Sequence, residues 1–187
     1  MKSAVRIIGG RWRGRKLGVI DAPGLRPTPD RIRETLFNWL GPHCRGAVVL
    51  DCFAGSGALG FEALSRGARH LVALEQRREA IAGLRADAKR LEATDVDIVA
   101  GDALQTIHRL ERRFDIVFID PPYAEPQLRA QVVAALGSTD SLNPGARLYF
   151  EWPLEETFEL PDAELEWIRR KRAGRVNYAI AEWQRSR

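Results

Sequence analysis

From residue 47 onward, the sequence alternates short apolar runs with segments long enough to form helices. The apolar runs lack the apolar–polar alternation of a half-exposed strand, which is typical of parallel strands buried on both faces. They comprise Ala47–Leu50, Leu71–Leu74, Val96–Ala100, Phe114–Ile119 and Ala146–Phe150. Two intervening segments, Gly57–Gly67 and Arg77–Leu91, have the length of helices. The pattern predicts an α/β fold with a doubly wound, mostly parallel sheet.

Two later segments extend the expected sheet. Leu165–Arg172 and Val176–Trp183 are separated by Ala173-Gly174-Arg175 and are predicted to form an antiparallel hairpin. Together with the five apolar runs, they give a sheet of seven strands.

The first 45 residues follow a different pattern. Ala4–Ile8 and Lys16–Ile20 are predicted to be the strands of a hairpin whose tip, residues 9–15, is rich in Gly and Arg. A helix is predicted after it, with Thr28 as its cap and Pro29 at its first position. Its apolar stripe consists of Ile32, Leu36, Phe37 and Leu40. We therefore predict a basic N-terminal extension over residues 1–45 and a main domain over residues 46–187.

Charge is unevenly distributed between these two parts. Residues 1–45 contain ten Lys or Arg and three acidic residues, a local balance of +7, whereas the rest of the chain carries −3. This asymmetry indicates a polyanionic partner that meets the N-terminal part. An Arg-rich solvated surface would explain the charge alone equally well.

Composition excludes several other classes of protein. The 187 residues are 45% hydrophobic and 29% charged, which suits one globular core. No run approaches the roughly 20 apolar residues of a membrane span, and no secretory signal is recognisable, so we expect a cytoplasmic protein. Cys44 and Cys52 lack metal-ligand spacing, and a core of this size needs no disulfide. We expect no bound metal.

The first motif with chemical content is a glycine-rich turn. The predicted strand ending at Asp51 is followed by Gly55, Gly57 and Gly60. Such a turn places backbone amides and a helix N-terminus beside a ligand. The glycines match the dinucleotide fingerprint, so a nicotinamide oxidoreductase is one interpretation. Asp51 argues against it, because a carboxylate there would repel a pyrophosphate.

Glu75, ending the next strand, is placed to accept hydrogen bonds from ribose hydroxyls.

An acidic residue also follows the third predicted parallel strand. Asp102 comes just after Val96–Ala100, at the carboxyl end where this type of sheet binds ligands. A short carboxylate there can accept a hydrogen bond from an adenine amino group, and Ala103 leaves space for the ring.

The most specific motif is Asp120-Pro121-Pro122-Tyr123, directly after Phe114–Ile119. The two prolines fix an extended backbone and remove two amide donors, so the Asp120 carboxylate and the adjoining carbonyls form a rigid edge of acceptors. Such an edge suits a planar NH2 group. Tyr123 supplies an aromatic face on which an unstacked base can lie.

Together these motifs resemble those of the class I methyltransferases, which use S-adenosylmethionine and methylate exocyclic amines. The segment Arg26-Pro27-Thr28, Arg31, Arg33-Glu34 and Leu36-Phe37-Asn38 is similar to the signature of one branch, the bacterial RsmD-type methyltransferases that modify a guanine N2 in 16S ribosomal RNA. The resemblance covers nearly the whole chain. It implies a Rossmann-like fold, S-adenosylmethionine as cofactor, a monomer, and a substrate within an assembled or partly assembled small ribosomal subunit.

The resemblance also implies roles for individual residues. Cofactor contacts are expected from Asp51, Ala54, Gly55, Ser56, Gly57, Glu75, Gln76, Asp102 and Ala103. The catalytic edge would consist of Asp120, Pro121, Pro122 and Tyr123. RNA phosphates are expected to meet Arg11, Arg13, Arg15, Lys16, Arg26, Arg31 and Arg33. Alternate positions in the basic run from Arg169 to Arg175 would extend that surface.

Three other functions remain open at this point. An adenine-N6 methyltransferase acting on DNA or RNA shares the Asp-Pro-Pro-Tyr motif, although 187 residues leave little room for a separate DNA-recognition domain. A nicotinamide oxidoreductase accounts for the glycines but not for that motif. A non-catalytic RNA-binding module accounts for the basic residues but for neither motif.

Overall fold

The computed structural model describes residues 4–18 and 28–184. In chain order the elements are β1 (Ala4–Arg6), β2 (Lys16–Gly18), α1 (Asp30–Leu40), β3 (Val48–Asp51), α2 (Ala58–Ser65), β4 (His70–Glu75), α3 (Arg78–Leu91), β5 (Val96–Ala100), α4 (Ala103–Ile107), β6 (Phe114–Ile119), α5 (Leu128–Ser138), β7 (Leu142–Pro153), β8 (Leu165–Ala173) and β9 (Val176–Trp183). Arg26 and the end of the second predicted strand, residues 19–20, lie outside the described residues.

Seven strands form the main sheet in the order β5-β4-β3-β6-β7-β9-β8. The first five of these run parallel, and β9 is antiparallel to both β7 and β8. The predicted doubly wound, mostly parallel sheet with its closing hairpin is therefore confirmed. The position of β9 inside the sheet, with β8 at the edge, is new information from the structure.

Helices cover both faces of the sheet, which explains the unbroken apolar runs. Within β3, Val49 packs into a core with α1, α2 and α3, whereas Val48 and Leu50 pack into a second core with α4 and α5. Successive side chains of a strand point to opposite faces. Both faces are covered, so the first three residues of β3 are all apolar, and only Asp51 at its end is charged.

Helix α1 begins differently from the sequence prediction. Its N-cap is Pro29, and no side chain caps it, so the prediction of a Thr28 cap with Pro29 as first helical residue was wrong. The Thr28 hydroxyl is buried and donates a hydrogen bond to Glu151 instead. The predicted apolar stripe is confirmed, because all four of its residues are buried against the sheet.

The β1–β2 hairpin lies at the edge where the parallel strands begin, which we call the amino edge. The backbone N–H of Trp12 donates to Ser65 Oγ at the end of α2 over 2.9 Å, and that of Gly18 donates to Asp87 Oδ2 in α3 over 2.8 Å. Val5, Ile7 and Leu17 are buried in the same core as α1. The described N-terminal residues thus share a core with the sheet, and a functional division at residue 45 stays a prediction.

Both cysteines, Cys44 and Cys52, are buried free thiols. In the described part of the chain, no helix combines the length and apolar character needed to cross a bilayer.

Candidate active site

Acidic residues stand at the ends of four parallel strands. Asp51 ends β3, Glu75 ends β4, Asp120 directly follows β6, and Glu151 lies near the end of β7. The strands are parallel, so all four residues lie at one edge of the sheet, which we call the carboxyl edge. In open α/β sheets ligands bind outside this edge.

Glu75 organises the glycine turn beside it. Its Oε2 accepts a hydrogen bond from the backbone N–H of Gly55 over 2.9 Å, and its Oε1 accepts from the N–H groups of Gln76 and Arg77. The backbone carbonyl of Glu75 also accepts from Gly101 at the end of β5. One buried residue therefore fixes three of the loops predicted to contact a cofactor. The spacing of the motifs does not reveal this role.

The glycine turn leads into α2 through backbone conformations that favour glycine. Gly55 has φ of 53° and Gly57, the N-cap of α2, has φ of 75°. A Cβ on Gly57 would lie 2.6 Å from the Phe61 ring and 2.7 Å from Leu84. Ala54, Gly55 and Gly57 are buried and Ser56 is half-buried, so the turn is part of the core.

Asp51 is a buried carboxyl under this turn. It accepts hydrogen bonds from the backbone N–H groups of Phe53 and Gly60, yet burial still raises its pKa from 3.8 to about 7. Gly60 lets α2 approach closely, since a Cβ there would lie 2.7 Å from Leu71. A negative charge on Asp51 is costly in this setting, and a cationic ligand would stabilise it.

Asp102 caps the short helix α4. Its Oδ1 accepts a hydrogen bond from the backbone N–H of Gln105 over 3.0 Å, and Ala103 is buried beside it. Gln76 is exposed just beyond β4. The structure thus brings all nine residues predicted for the cofactor to the ends of β3, β4 and β5.

The Asp-Pro-Pro-Tyr segment begins on the neighbouring strand. The β3–β6 pairing continues through the bond from the backbone N–H of Cys52 to the carbonyl of Phe118, so the segment leaves the sheet beside Asp51. Pro121 is buried, the Pro122 carbonyl accepts from the N–H of Glu125, and Tyr123 is 50% exposed. Tyr123 is therefore partly exposed to solvent at the carboxyl edge.

The half-buried Asp120 stands among other charged groups. Loss of solvation raises the pKa of its carboxyl well above 3.8, and the negative charges of Glu151 and Asp51 raise it further, while Arg129 opposes them. A negative charge on Asp120 is therefore costly in these surroundings.

Sequence reasoning missed Glu151 and Arg129. Glu151 is 2% exposed, and its Oε1 accepts hydrogen bonds from Thr28 Oγ1 at 2.8 Å and from the Tyr149 hydroxyl at 2.7 Å. Arg129 is fully buried in α5, where it pairs with Glu156 and lies over the Phe158 ring. A signal for Glu151 was present, since it follows an apolar strand as Asp51, Glu75 and Asp120 do.

Comparison with known proteins places this geometry in a family. A family model described as conserved hypothetical protein 95 matches residues 5–182. A relative named ribosomal RNA small subunit methyltransferase D, from Escherichia coli strain K12, is 43% identical over 176 residues, covering 94% of this chain and 88% of the relative. A protein of the same name from Haemophilus influenzae is 38% identical, covering 96% and 94%. The chain belongs to the ribosomal RNA small subunit methyltransferase D family.

Solved structures agree with this membership. The Escherichia coli protein yhhF superposes with a TM-score of 0.88 at 38% identity, covering 97% of this chain and 99% of that one. A Haemophilus influenzae structure superposes with a TM-score of 0.84 at 33% identity, covering 98% and 100%. A member of the methyltransferase D family is an S-adenosylmethionine-dependent methyltransferase of class I fold, so the nicotinamide interpretation was wrong.

The residues at the carboxyl edge fit the cofactor of the methyltransferase D family. S-adenosylmethionine carries a sulfonium, an ammonium, two ribose hydroxyls and an adenine amino group, all of which seek negative or acceptor groups. The edge offers the carboxyls of Asp51, Glu75 and Asp102 beside a turn of small residues. The buried Asp51 is the clearest match, because burial raises its pKa and a cationic group beside it would stabilise its negative charge.

The residues predicted to bind RNA are divided between two edges of the sheet. Arg11, Arg13, Arg15 and Lys16 are exposed at the amino edge, where Arg11 pairs with Asp95 and Arg15 donates to the carbonyl of Arg90. Arg31 is exposed near the start of α1, close to the carboxyl edge. The structure thus separates the hairpin residues from the Asp-Pro-Pro-Tyr segment, which was predicted to be catalytic.

Arg33 was wrongly predicted to meet RNA phosphates. It is fully buried, and its guanidinium donates to the carbonyls of Thr28 and Arg6 and to Asp30, with Glu62 at 3.6 Å. A side chain with no solvent exposure cannot contact a phosphate. Its function is structural, since it joins the N-terminal strand to α1 and α2.

Proposed function

We propose that this protein transfers a methyl group from S-adenosylmethionine to the exocyclic N2 amine of a guanine in 16S ribosomal RNA. The observation that carries the proposal is the position of Asp120-Pro121-Pro122-Tyr123 directly beside Asp51 and the glycine turn. The names of the relatives support ribosomal RNA as the substrate. We further propose that the protein acts as a cytoplasmic monomer on an assembled or partly assembled small ribosomal subunit.

Nine residues would hold the cofactor in this proposal. Asp51 would lie near its cationic part, the turn of Ala54, Gly55, Ser56 and Gly57 would offer backbone amides, Glu75 and Gln76 would meet the ribose, and Asp102 and Ala103 would meet the adenine. When bound, S-adenosylmethionine supplies an activated methyl group and leaves as a neutral thioether.

The chain itself must make the target amine nucleophilic. The lone pair of an exocyclic purine amine is delocalised into the ring, so the free base reacts poorly. Asp120 and the Pro121 carbonyl would accept hydrogen bonds from the two amino hydrogens and favour a pyramidal nitrogen. Tyr123 would stack on the base after it leaves its helix.

Transfer of the methyl group leaves one surplus proton on the nitrogen. The raised pKa of Asp120 supports this carboxyl as the acceptor of that proton, which then passes to solvent. The buried network of Glu151, Tyr149 and Thr28 sets the electrostatic surroundings in which Asp120 works.

The proposal is tested by mapping the methylated nucleoside. The protein is incubated with S-adenosylmethionine carrying a labelled methyl group and, in parallel, with small-subunit particles from cells lacking the enzyme, with naked 16S ribosomal RNA and with duplex DNA. We expect label in N2-methylguanosine from the particles. Label in N6-methyladenine, in either nucleic acid, would replace the proposal with the adenine-N6 alternative, and no transfer to any RNA would overturn it.

A further inference from the structure

A groove of about 380 Å³ lies between α1 and the β8–β9 hairpin, outside the site described above. It is lined by Arg31, Thr35, Lys171, Arg172, Ala173, Gly174 and Tyr178. Helix α1 and the end of β8 supply its two walls.

The groove carries positive charge from the side chains of Arg31 and Lys171. Arg31 and Lys171 are exposed, and within residues 4–18 and 28–184 neither of them forms an ion pair. Nearby Arg175, by contrast, pairs with Glu155 over 2.7 Å, and the charge of Arg172 helps to lower the pKa of the same carboxyl. Cations gathered without carboxylate partners are suited to bind an anion.

The groove is at the same edge of the sheet as Asp120. Strand register places Ile119 level with Phe150, Glu151 level with Tyr178, and Tyr178 level with Lys171. Asp120 and Lys171 are therefore three strands apart, about 14 Å at roughly 4.8 Å per strand. That span is within reach of the nucleotides that flank a base bound at Asp120.

The floor of the groove is rigid. Tyr178 is 1% exposed and stacks on Trp39 of α1, with 5.2 Å between the ring centroids and 23° between the planes. Thr35 donates its hydroxyl hydrogen to the carbonyl of Arg31. The walls are therefore held at a fixed separation before any ligand arrives, which reduces the entropy lost on binding.

Strand alternation determines which basic side chains of β8 can enter the groove. Lys171 pairs with Tyr178, whose ring lies on the α1 face of the sheet. Arg170 points to the opposite face, where its guanidinium lies 5.0 Å from the centre of the Trp167 ring. Neighbouring residues of equal charge thus face opposite sides of the protein.

We infer that this groove binds the ribose–phosphate backbone of the RNA beside the target nucleotide, with phosphates paired to Arg31 and Lys171. The inference rests on the proposed function and assigns the substrate backbone to a surface distinct from the hairpin. Contacts of this kind fix the position of the strand and strengthen binding without reading sequence.

The test compares charge reversals on the two faces of β8. The variants are Arg31→Glu, Lys171→Glu and their combination, with Arg170→Glu as the matched control. For each, we would measure the dissociation constant for 16S ribosomal RNA at two salt concentrations, kcat and KM for methyl transfer to small-subunit particles, S-adenosylmethionine affinity by calorimetry, and the thermal midpoint.

We expect the double variant to bind RNA at least about tenfold more weakly, with a smaller salt dependence and a raised KM, while its cofactor affinity and thermal midpoint stay unchanged. Arg170→Glu should bind within about twofold of the unmodified protein. If the double variant binds RNA as tightly as Arg170→Glu does, the inference that the groove binds the RNA backbone is overturned, while the proposed function still stands. An unmodified protein that neither binds nor methylates the RNA would overturn the proposed function, and the groove with it.

Discussion

The hydroxyl of Thr28 donates a hydrogen bond to Glu151 Oε1 over 2.8 Å, and this bond joins the segment before α1 to the end of β7. The hydroxyl of Tyr149, two residues earlier in β7, donates to the same oxygen over 2.7 Å. Glu151 in turn raises the pKa of Asp120 through its negative charge. Through Glu151, a residue near the N-terminus is thereby linked to Asp120, the carboxyl that we propose to be catalytic, more than 90 residues away in the sequence.

Substitution of Glu151 should change the pH dependence of methyl transfer. Asp120 accepts amino hydrogens best when ionised, so the rate should fall as pH decreases through its raised pKa. Glu151→Gln keeps an oxygen for Thr28 and Tyr149 but removes a negative charge, which lowers the pKa of Asp120 and moves the acidic limb of the kcat profile to lower pH. The control is Glu79→Gln, on the exposed side of α3. A limb at the same pH in both variants would contradict the coupling.

Removal of the Asp120 carboxyl should abolish most of the activity but not cofactor binding. Asp120→Ala deletes an acceptor of the target amine, and we expect kcat to fall by about 100-fold or more. S-adenosylmethionine affinity, measured by calorimetry, should change by less than about threefold, because the predicted cofactor residues are on other loops. Methyl transfer at the unmodified rate would show that Asp120 is not part of the catalytic edge.

Substitution of Asp51 should stabilise the protein at neutral and alkaline pH. Its pKa is about 7 in the folded state, against 3.8 for an ordinary aspartate. The folded state therefore holds this proton more tightly, and the free energy of unfolding decreases as pH rises from about 4 to about 7. Asp51→Asn removes that dependence.

The measurement for Asp51→Asn is the thermal midpoint at several pH values without cofactor. The variant should gain on the unmodified protein between about pH 4.5 and about pH 8, and should bind S-adenosylmethionine more weakly. A constant difference in midpoint across this interval would be inconsistent with a raised pKa for Asp51.

The glycine turn should tolerate no side chain at position 57. In Gly57→Ala the alanine would have to adopt φ of 75°, and its Cβ would lie 2.6 Å from the Phe61 ring. We therefore expect a loss of several kcal/mol of stability. Gly14→Ala is the control, because φ there is 83° but nothing lies within 4 Å of the added atom. It should cost only about 1–2 kcal/mol. Equal losses in chemical denaturation would argue against the packing at the turn.

Truncation of two arginines of α1 should change the stability of the protein by very different amounts. Arg33 is buried among hydrogen-bond acceptors, so Arg33→Ala leaves Glu62 without a partner from α1 and should cost about 3–5 kcal/mol of stability. Arg31 is exposed, and Arg31→Ala should change stability by less than about 0.5 kcal/mol. Urea denaturation measures both. An Arg33→Ala protein as stable as Arg31→Ala would contradict the structural role of Arg33.

The fold could be predicted because the hydrophobic pattern records burial on both faces of each strand. The predicted runs match β3 to β7 to within a few residues, except that β7 extends further at both ends. The order of β8 and β9 could not be predicted, since apolar content does not say which of two hairpin strands joins the sheet. The extents of α4 and α5 were likewise not delimited by the pattern.

The roles of individual side chains were harder to predict where the prediction used only the residue type. Arg33 was assigned to RNA because it is basic, although its spacing from Leu36, Phe37 and Leu40 places it on the buried stripe of the helix. Thr28 was assigned as a cap from its place just before the helix. Its actual partner, Glu151, is 123 residues away and cannot be found from a local sequence pattern. The hairpin arginines could not be placed at the amino edge without knowledge of where β1 and β2 pack.

The position of β9 has a consequence for how the protein is made. β9 lies between β7 and β8, so a nascent chain released before residue 176 would leave the long β7 with an unpaired side. Exposed backbone donors and acceptors of this kind invite pairing with other chains. Premature termination just before residue 176 is therefore expected to yield an aggregating product rather than a slightly shortened enzyme.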